Sequence, residues 1–214
     1  MPQAHAQAPV ACGSLGNGFG PFDYRKVKGP ELAIVEGEHF TPSIEGLVRG
    51  KTGLIGGDLD YTLRAFPNHH RALVTMQRLT ERLKQPQAPG ANWEVECYFI
   101  RAVRFVPDDT VARLLYASFL GKQKNRRDDA KRQLAQVETL AGENALTHYN
   151  LGLVALEIGD YERALRQAWR AHEMGFPRPE LRDQLRAQGR WRDRPPLSAD
   201  AESAPAPDAP VSLP

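Results

Sequence analysis

Apolar residues recur at helical spacing through most of the chain. Leu146, Tyr149, Leu153 and Leu156 stand three and four residues apart, which predicts one helix with a single apolar stripe. Gly159 is placed to stop that helix and Asp160 to cap the next, on which Tyr161, Ala164, Leu165, Ala168 and Trp169 are expected to face inward. Gly152 and Ala164 are small, as paired helices require where they approach closely. One such hairpin leaves a face uncovered, so neighbours must exist.

Upstream the pattern returns in a weaker form. Asp58 is expected to cap a helix carrying Leu59, Leu63 and Phe66, which Pro67 terminates. Ala72, Leu73, Met76, Leu79 and Leu83 stripe a second helix, followed by a loop over 86–90. A helix at about 92–105 then carries Trp93, Val95, Phe99, Ala102 and Val103. Leu114, Leu115, Ala117 and Phe119 mark the next, and Ala130, Leu134, Val137 and Leu140 its partner. Residues 179–188 read as a polar capping helix with Leu181 and Leu185 inward, and Trp191 as a pin for that end.

The first quarter of the chain lacks this periodicity. Residues 1–11 read as a disordered lead or the remnant of a signal peptide, and 12–57 as an irregular, Gly-rich N-terminal cap. Leu32-Ala33-Ile34-Val35 fits a short strand or an extended apolar segment. Thr41 and Pro42 are expected to start a short helix with Ile44, Leu47 and Val48 as its buried stripe and Gly50 at its end. Residues 58–190 form the helical array, and 191–214 a Pro/Ala-rich acidic tail expected to be disordered.

Leu151-Gly152, Gly159, Tyr161, Ala164, Ala168 and Ala171 stand in the pattern of the tetratricopeptide repeat, so the chain resembles that family. The resemblance covers about 58–190 and is strongest over 145–176. Gly20-Pro21-Phe22-Asp23-Tyr24-Arg25, the run from Asp60 to Leu73, and Glu96-Cys97-Tyr98-Phe99 extend it to a group of bacterial exported proteins with such repeats, a likeness that implies no activity. The expected fold is therefore all-α: a helical-hairpin solenoid of about three repeats with a Gly-rich N-terminal cap. Solenoids need such caps to cover their apolar ends.

In this family the first helices of successive repeats line a concave groove that holds a segment of a partner. The resemblance places Val74, Arg78, Glu81 and Arg82 there, then Leu114, Ser118 and Lys122, then Tyr149, Asn150, Leu153 and Glu157. Asn150 stands where many peptide-binding repeats hold the ligand backbone or its terminal carboxylate. Arg78, Arg82 and Lys122 would suit an acidic segment through charge-assisted hydrogen bonds. The plainer alternative is a solvated surface, with Asn150 bonded within the fold. The function expected is a non-enzymatic adaptor or scaffold for a protein or peptide partner, with no cofactor.

Composition adds limits. The 214 residues are 41% hydrophobic and 25% charged, as in ordinary globular proteins. The net charge of +2 divides into −3 for residues 195–214, which hold Asp200, Glu202 and Asp208 but no Lys or Arg, and +5 (28 minus 23) elsewhere. That falls well short of a nucleic-acid-binding signature. No apolar run is long enough to span a membrane. Ala4-His5-Ala6 before Gln7 resembles the end of a secretory signal, which favours the periplasm or secretion over the cytoplasm. Pro9-Val10-Ala11-Cys12-Gly13 is a poor lipoprotein box because Pro9 replaces the expected Leu.

Cys12 and Cys97 are too far apart for a Cys-x-x-Cys motif and too few for a zinc site of their own. In an exported chain they are expected to form a disulfide; in a cytosolic one they remain thiols. The reading favours the bridge.

Glu36, Glu38, His39, Asp58, Asp60, His69 and His70 supply metal-ligating types, and with them the alternative of a metal-dependent enzyme or small-ligand protein. However, His69 and His70 are adjacent, whereas one helical face needs three- or four-residue spacing. No His-Glu-x-x-His, Gly-x-Ser-x-Gly or phosphate-binding loop occurs. Tyr24, Arg25, Arg64, Phe66 and Arg71 offer aromatic rings beside cations, suited to a sugar or an anionic headgroup, or to an ordinary packed junction.

Overall fold

The computed structural model describes residues 12–194, and the regular structure found there is entirely helical. In chain order the helices are α1 (Pro30–His39), α2 (Pro42–Glu45), α3 (Ile55–Ala65), α4 (His70–Leu83) and α5 (Val95–Phe105). Then come α6 (Thr110–Gly121), α7 (Arg127–Leu140), α8 (Ala145–Glu157), α9 (Tyr161–Glu173) and α10 (Glu180–Ala187). Helices α6 and α7 pack closely as a hairpin, as do α8 and α9. Helices α4 and α5 touch much less, because the long loop over 84–94 separates them.

Recurrent caps set the turns between these helices. The side chains of His69, Asp109, Asn144 and Asp160 accept the backbone N–H of Ala72, Ala112, Thr147 and Arg163, so four helices start with one of their open donors satisfied. Gly159 reaches the reversal before α9 at φ +76°, a left-handed conformation natural to glycine. Leu59, Leu73, Phe99, Leu120, Leu134 and Leu151 belong to one buried core that runs through the array. Full burial of each such side chain contributes about 1.5–3 kcal/mol.

Residues 12–29 are tied across α3 and α5. Cys12 is bonded to Cys97, with their Cα atoms 5.1 Å apart. Arg101 of α5 is 1% exposed, and its Nη1 donates to the carbonyls of Cys12 at 2.9 Å and Ser14 at 2.6 Å. Its guanidinium lies 4.1 Å from the Trp93 ring, and burial lowers its pKa. Phe19, Phe22 and Tyr24 pack on a second cluster formed by Leu32, Val35, Ala65 and Phe66.

Several sequence expectations need correction. Leu32-Ala33-Ile34-Val35 is neither strand nor extended; it lies in α1, which starts with Pro30 at its first position. Only Leu32 and Val35, three residues apart, are buried there, against α3 and the N-terminal segment. Asp58 does not cap a helix, since α3 begins at Ile55 and Asp58 lies inside its first turn. Thr41 holds the N-cap position of α2 without a side-chain cap bond, and Val48 is 75% exposed. Helix α5 begins at Val95, later than expected. Leu146 and Leu83 are exposed, not part of a buried stripe. The proposed leader over 1–11 and the tail from 195 lie outside the described residues.

Candidate functional site

Helices α4, α6 and α8 lie side by side, with α2 beyond α4 and α10 beyond α8. This row brings together residues that are about 40 positions apart in sequence. Lys122 Nζ, at the C-terminal cap of α6, donates to Glu81 Oε1 of α4 at 3.5 Å, and Ser118 Oγ of α6 donates to Glu157 Oε2 of α8 at 2.8 Å. Four of the expected face residues thus meet across three helices. Arg78 and Glu157 are exposed, while Asn150 and Leu153 are half-buried.

Three expected positions sit differently. Leu114 is buried in the core, so it supports the face from beneath. Tyr149 is 6% exposed: its ring packs on Phe176 with centroids 4.6 Å apart, and its hydroxyl donates to Glu180 Oε2 at 3.3 Å. Burial, and then the Glu180 carboxylate, raise its pKa. Helix α10 therefore covers a residue that the family resemblance assigns to the groove. Arg82 donates from Nη1 to the Leu47 carbonyl at 3.1 Å, tying α4 to the chain after α2.

Sequence reasoning named Val74 and Leu153 but missed the rest of the apolar part of this surface. Val111 and Leu146 are exposed at corresponding second positions of α6 and α8, and Val74 is exposed on α4. Beyond Arg82 an apolar cleft of about 270 Å³ opens between Leu54 and Ile55 on one side and Leu79 and Leu83 on the other. Leu54 and Leu83 have no helical register in common, so no periodicity linked them. The contact depends on where the 50–57 segment folds back.

The His/Asp/Glu set is divided among separate partners. His39 Nδ1 meets Asp58 Oδ1 at 3.0 Å, His69 Nε2 meets Glu36 Oε1 at 3.0 Å, and His70 Nε2 meets Asp109 Oδ2 at 2.8 Å. Asp58 also accepts the Thr52 hydroxyl and the amides of Lys51 and Thr52. Burial alone would raise its pKa, but these bonds reverse the effect and hold it below the usual carboxylate range. Asp60 accepts from Arg64, Asn92 and Tyr98, and so anchors the loop before α5 to α3. Among the described residues no three His, Cys, Asp or Glu side chains are gathered as a metal-ligand group.

Tyr24, Arg25, Arg64, Phe66 and Arg71 are all engaged within the fold. Tyr24 stacks on His69 at 4.1 Å, Phe66 packs on Phe22 at 5.3 Å, and Arg71 pairs with Glu45. Arg25 reaches Asp23 and Asp108, while Arg64 reaches Asp60 and Asn17. Asp23 would rise with burial, yet its bonds from Arg25 and Asn68 bring it down to about 2. These residues knit the N-terminal segment to the turns before α4 and α6.

Comparison with protein-family models, curated proteins and solved structures returned no match. Among the described residues no helix is long and apolar enough to cross a membrane.

Proposed function

We propose that this chain is a non-enzymatic adaptor of the tetratricopeptide type, binding a protein partner along the face of α4, α6 and α8. The observation that supports this reading is the alignment of equivalent positions on three successive first helices, linked by Lys122 with Glu81 and Ser118 with Glu157. Such a surface offers exposed Val74, Val111 and Leu146 beside charges of both signs, the usual mixture at a non-obligate interface. The apolar cleft at Leu54 and Leu83 provides a seat for one apolar side chain of the partner.

The Cys12–Cys97 bridge supports an oxidising compartment, so the reading includes export to the periplasm or beyond. An acidic partner segment would meet Arg78 first, because Lys122 and Arg82 already have partners in the free chain.

Capture from native extract, read by mass spectrometry, tests the reading. A partner held by the wild type should be lost from Arg78→Glu with Leu146→Asp, both at exposed positions, once circular dichroism and melting show the variant folded. Equal capture by both proteins would move binding off this face.

A further inference from the structure

At the opposite end of the array, arginines recur at every fourth position: Arg178, Arg182, Arg186 and Arg190. Helix α10 buries Leu181 and Leu185, which leaves this stripe outside. Arg182 and Arg186 line an open cleft of about 240 Å³ together with Trp169, Trp191 and His172. Among the described residues Arg182 pairs only with its neighbour Asp183 at 3.4 Å. Arg186 lies 5.5 Å from the Trp191 ring. The acids at the rim are already engaged: Glu173 pairs with Arg194, and Asp193 accepts the Trp191 indole N–H.

The described chain ends at this rim. Trp169 Nε1 donates to the Arg192 carbonyl at 3.1 Å, and Arg192 and Arg194 pair with Glu162 and Glu173 of α9. The described chain therefore reaches the edge of the cleft at Arg194. The following segment, 195–214, carries three acids and no cation, whereas 178–194 holds six arginines against Glu180, Asp183 and Asp193. The spacing also matches. Arg182 and Arg186 are about 6 Å apart along a helix axis. Acids two residues apart, as Asp200 and Glu202 are in sequence, would stand about 7 Å apart on one side of any extended strand.

We propose that the acidic segment 195–214 docks in cis on this Arg/Trp cleft, with Asp200 and Glu202 facing Arg182 and Arg186. Each exposed pair is weak, but tethering gives the segment a millimolar effective concentration. The cleft is then a site for extended acidic peptide that the chain keeps occupied with its own residues. An external acidic segment would have to displace them.

The test uses the full chain and its three tryptophan indole resonances by NMR. Asp200→Asn with Glu202→Gln should shift Trp169 and Trp191 and leave Trp93, beneath the N-terminal segment, unmoved. In an Arg182→Gln, Arg186→Gln background the same tail change should have no further effect. A synthetic peptide of residues 195–214 should bind the tail-substituted chain about tenfold more tightly than the wild type, because the native tail competes. Unmoved Trp169 and Trp191 resonances, or equal peptide affinity for both chains, would overturn the proposal. So would shifts that grow with protein concentration, since they would place the tail on a second copy.

Discussion

His69 Nδ1 accepts the N–H of Ala72 at 3.1 Å, so the single proton of the neutral ring must sit on Nε2, where it is donated to Glu36. A second proton on Nδ1 would break the helix cap. The ring is fully buried, and burial, with Arg71 nearby, lowers its pKa from 6.5 to about 3.

The sign of the pH effect follows. Between pH 6.5 and 3 the unfolded chain binds a proton on this histidine that the folded chain refuses. Stability is therefore full above about pH 6.5 and falls as pH drops through that window, by about 1.4 kcal/mol per pH unit. Denaturant melts from pH 7.5 to 5 should show this slope, and His69→Asn, which keeps a cap acceptor, should flatten it. An NMR titration showing a charged His69 at pH 5 would contradict the assignment.

Asp109 is a cap with more duties than the others. Its buried carboxylate accepts from the Ala112 amide, His70 and Asn68. Burial would raise its pKa, but these bonds hold it below the ordinary carboxylate range. Asp109→Ala should cost about 3 kcal/mol, since it leaves His70 and Asn68 without their acceptor. Asn144→Ala removes an exposed cap and should cost about 1 kcal/mol. Similar losses for the two in urea melts would argue against the buried network.

The bridge between Cys12 and Cys97 closes a separation of 85 residues. In the chain-entropy model that contributes about 4.5 kcal/mol. Replacing both cysteines by serine should lower the melting temperature by about 10 °C, with no further drop on adding reductant. A wild type whose melting is indifferent to reductant would contradict the bridge.

Gly56 supports the long loop between α4 and α5. A Cβ there would lie 2.3 Å from the Pro89 carbonyl oxygen and 2.9 Å from Ala88 Cβ. Gly56→Ala should therefore destabilise by about 1–3 kcal/mol despite the better helix propensity of alanine. Urea melts give the check, and a stabilised variant would show that the loop does not rest on α3.

Legibility in the sequence followed how local each determinant was. The α8–α9 hairpin was readable because stripe, Gly159 and Asp160 all lie within 30 residues and agree. The run Leu32-Ala33-Ile34-Val35 was not, since four apolar residues fit strand or helix alike. Pro30 after Gly29 was the available signal, and packing on α3 completed the choice. Asp58 looked like a cap by residue type, but its carboxylate serves Lys51, Thr52 and His39, partners that only the fold brings close. His69 caps α4 from outside the usual set of Ser, Thr, Asp and Asn, so type preference passed it over. On the candidate face, the family resemblance named Ser118, Lys122 and Glu157, which the structure places in contacts between neighbouring helices. The resemblance could not foresee that α10 and Phe176 cover Tyr149, nor that the 50–57 segment builds the Leu54–Leu83 cleft.

Site-specific photo-crosslinking in native cells tests the adaptor reading most directly. A crosslinking residue would replace Arg78 on α4, Leu153 on α8 or, as a control on α7, the exposed Arg132. The account predicts one and the same protein adduct at positions 78 and 153 and none at 132. Adducts confined to position 132, or none at 78 and 153 in folded protein, would contradict it.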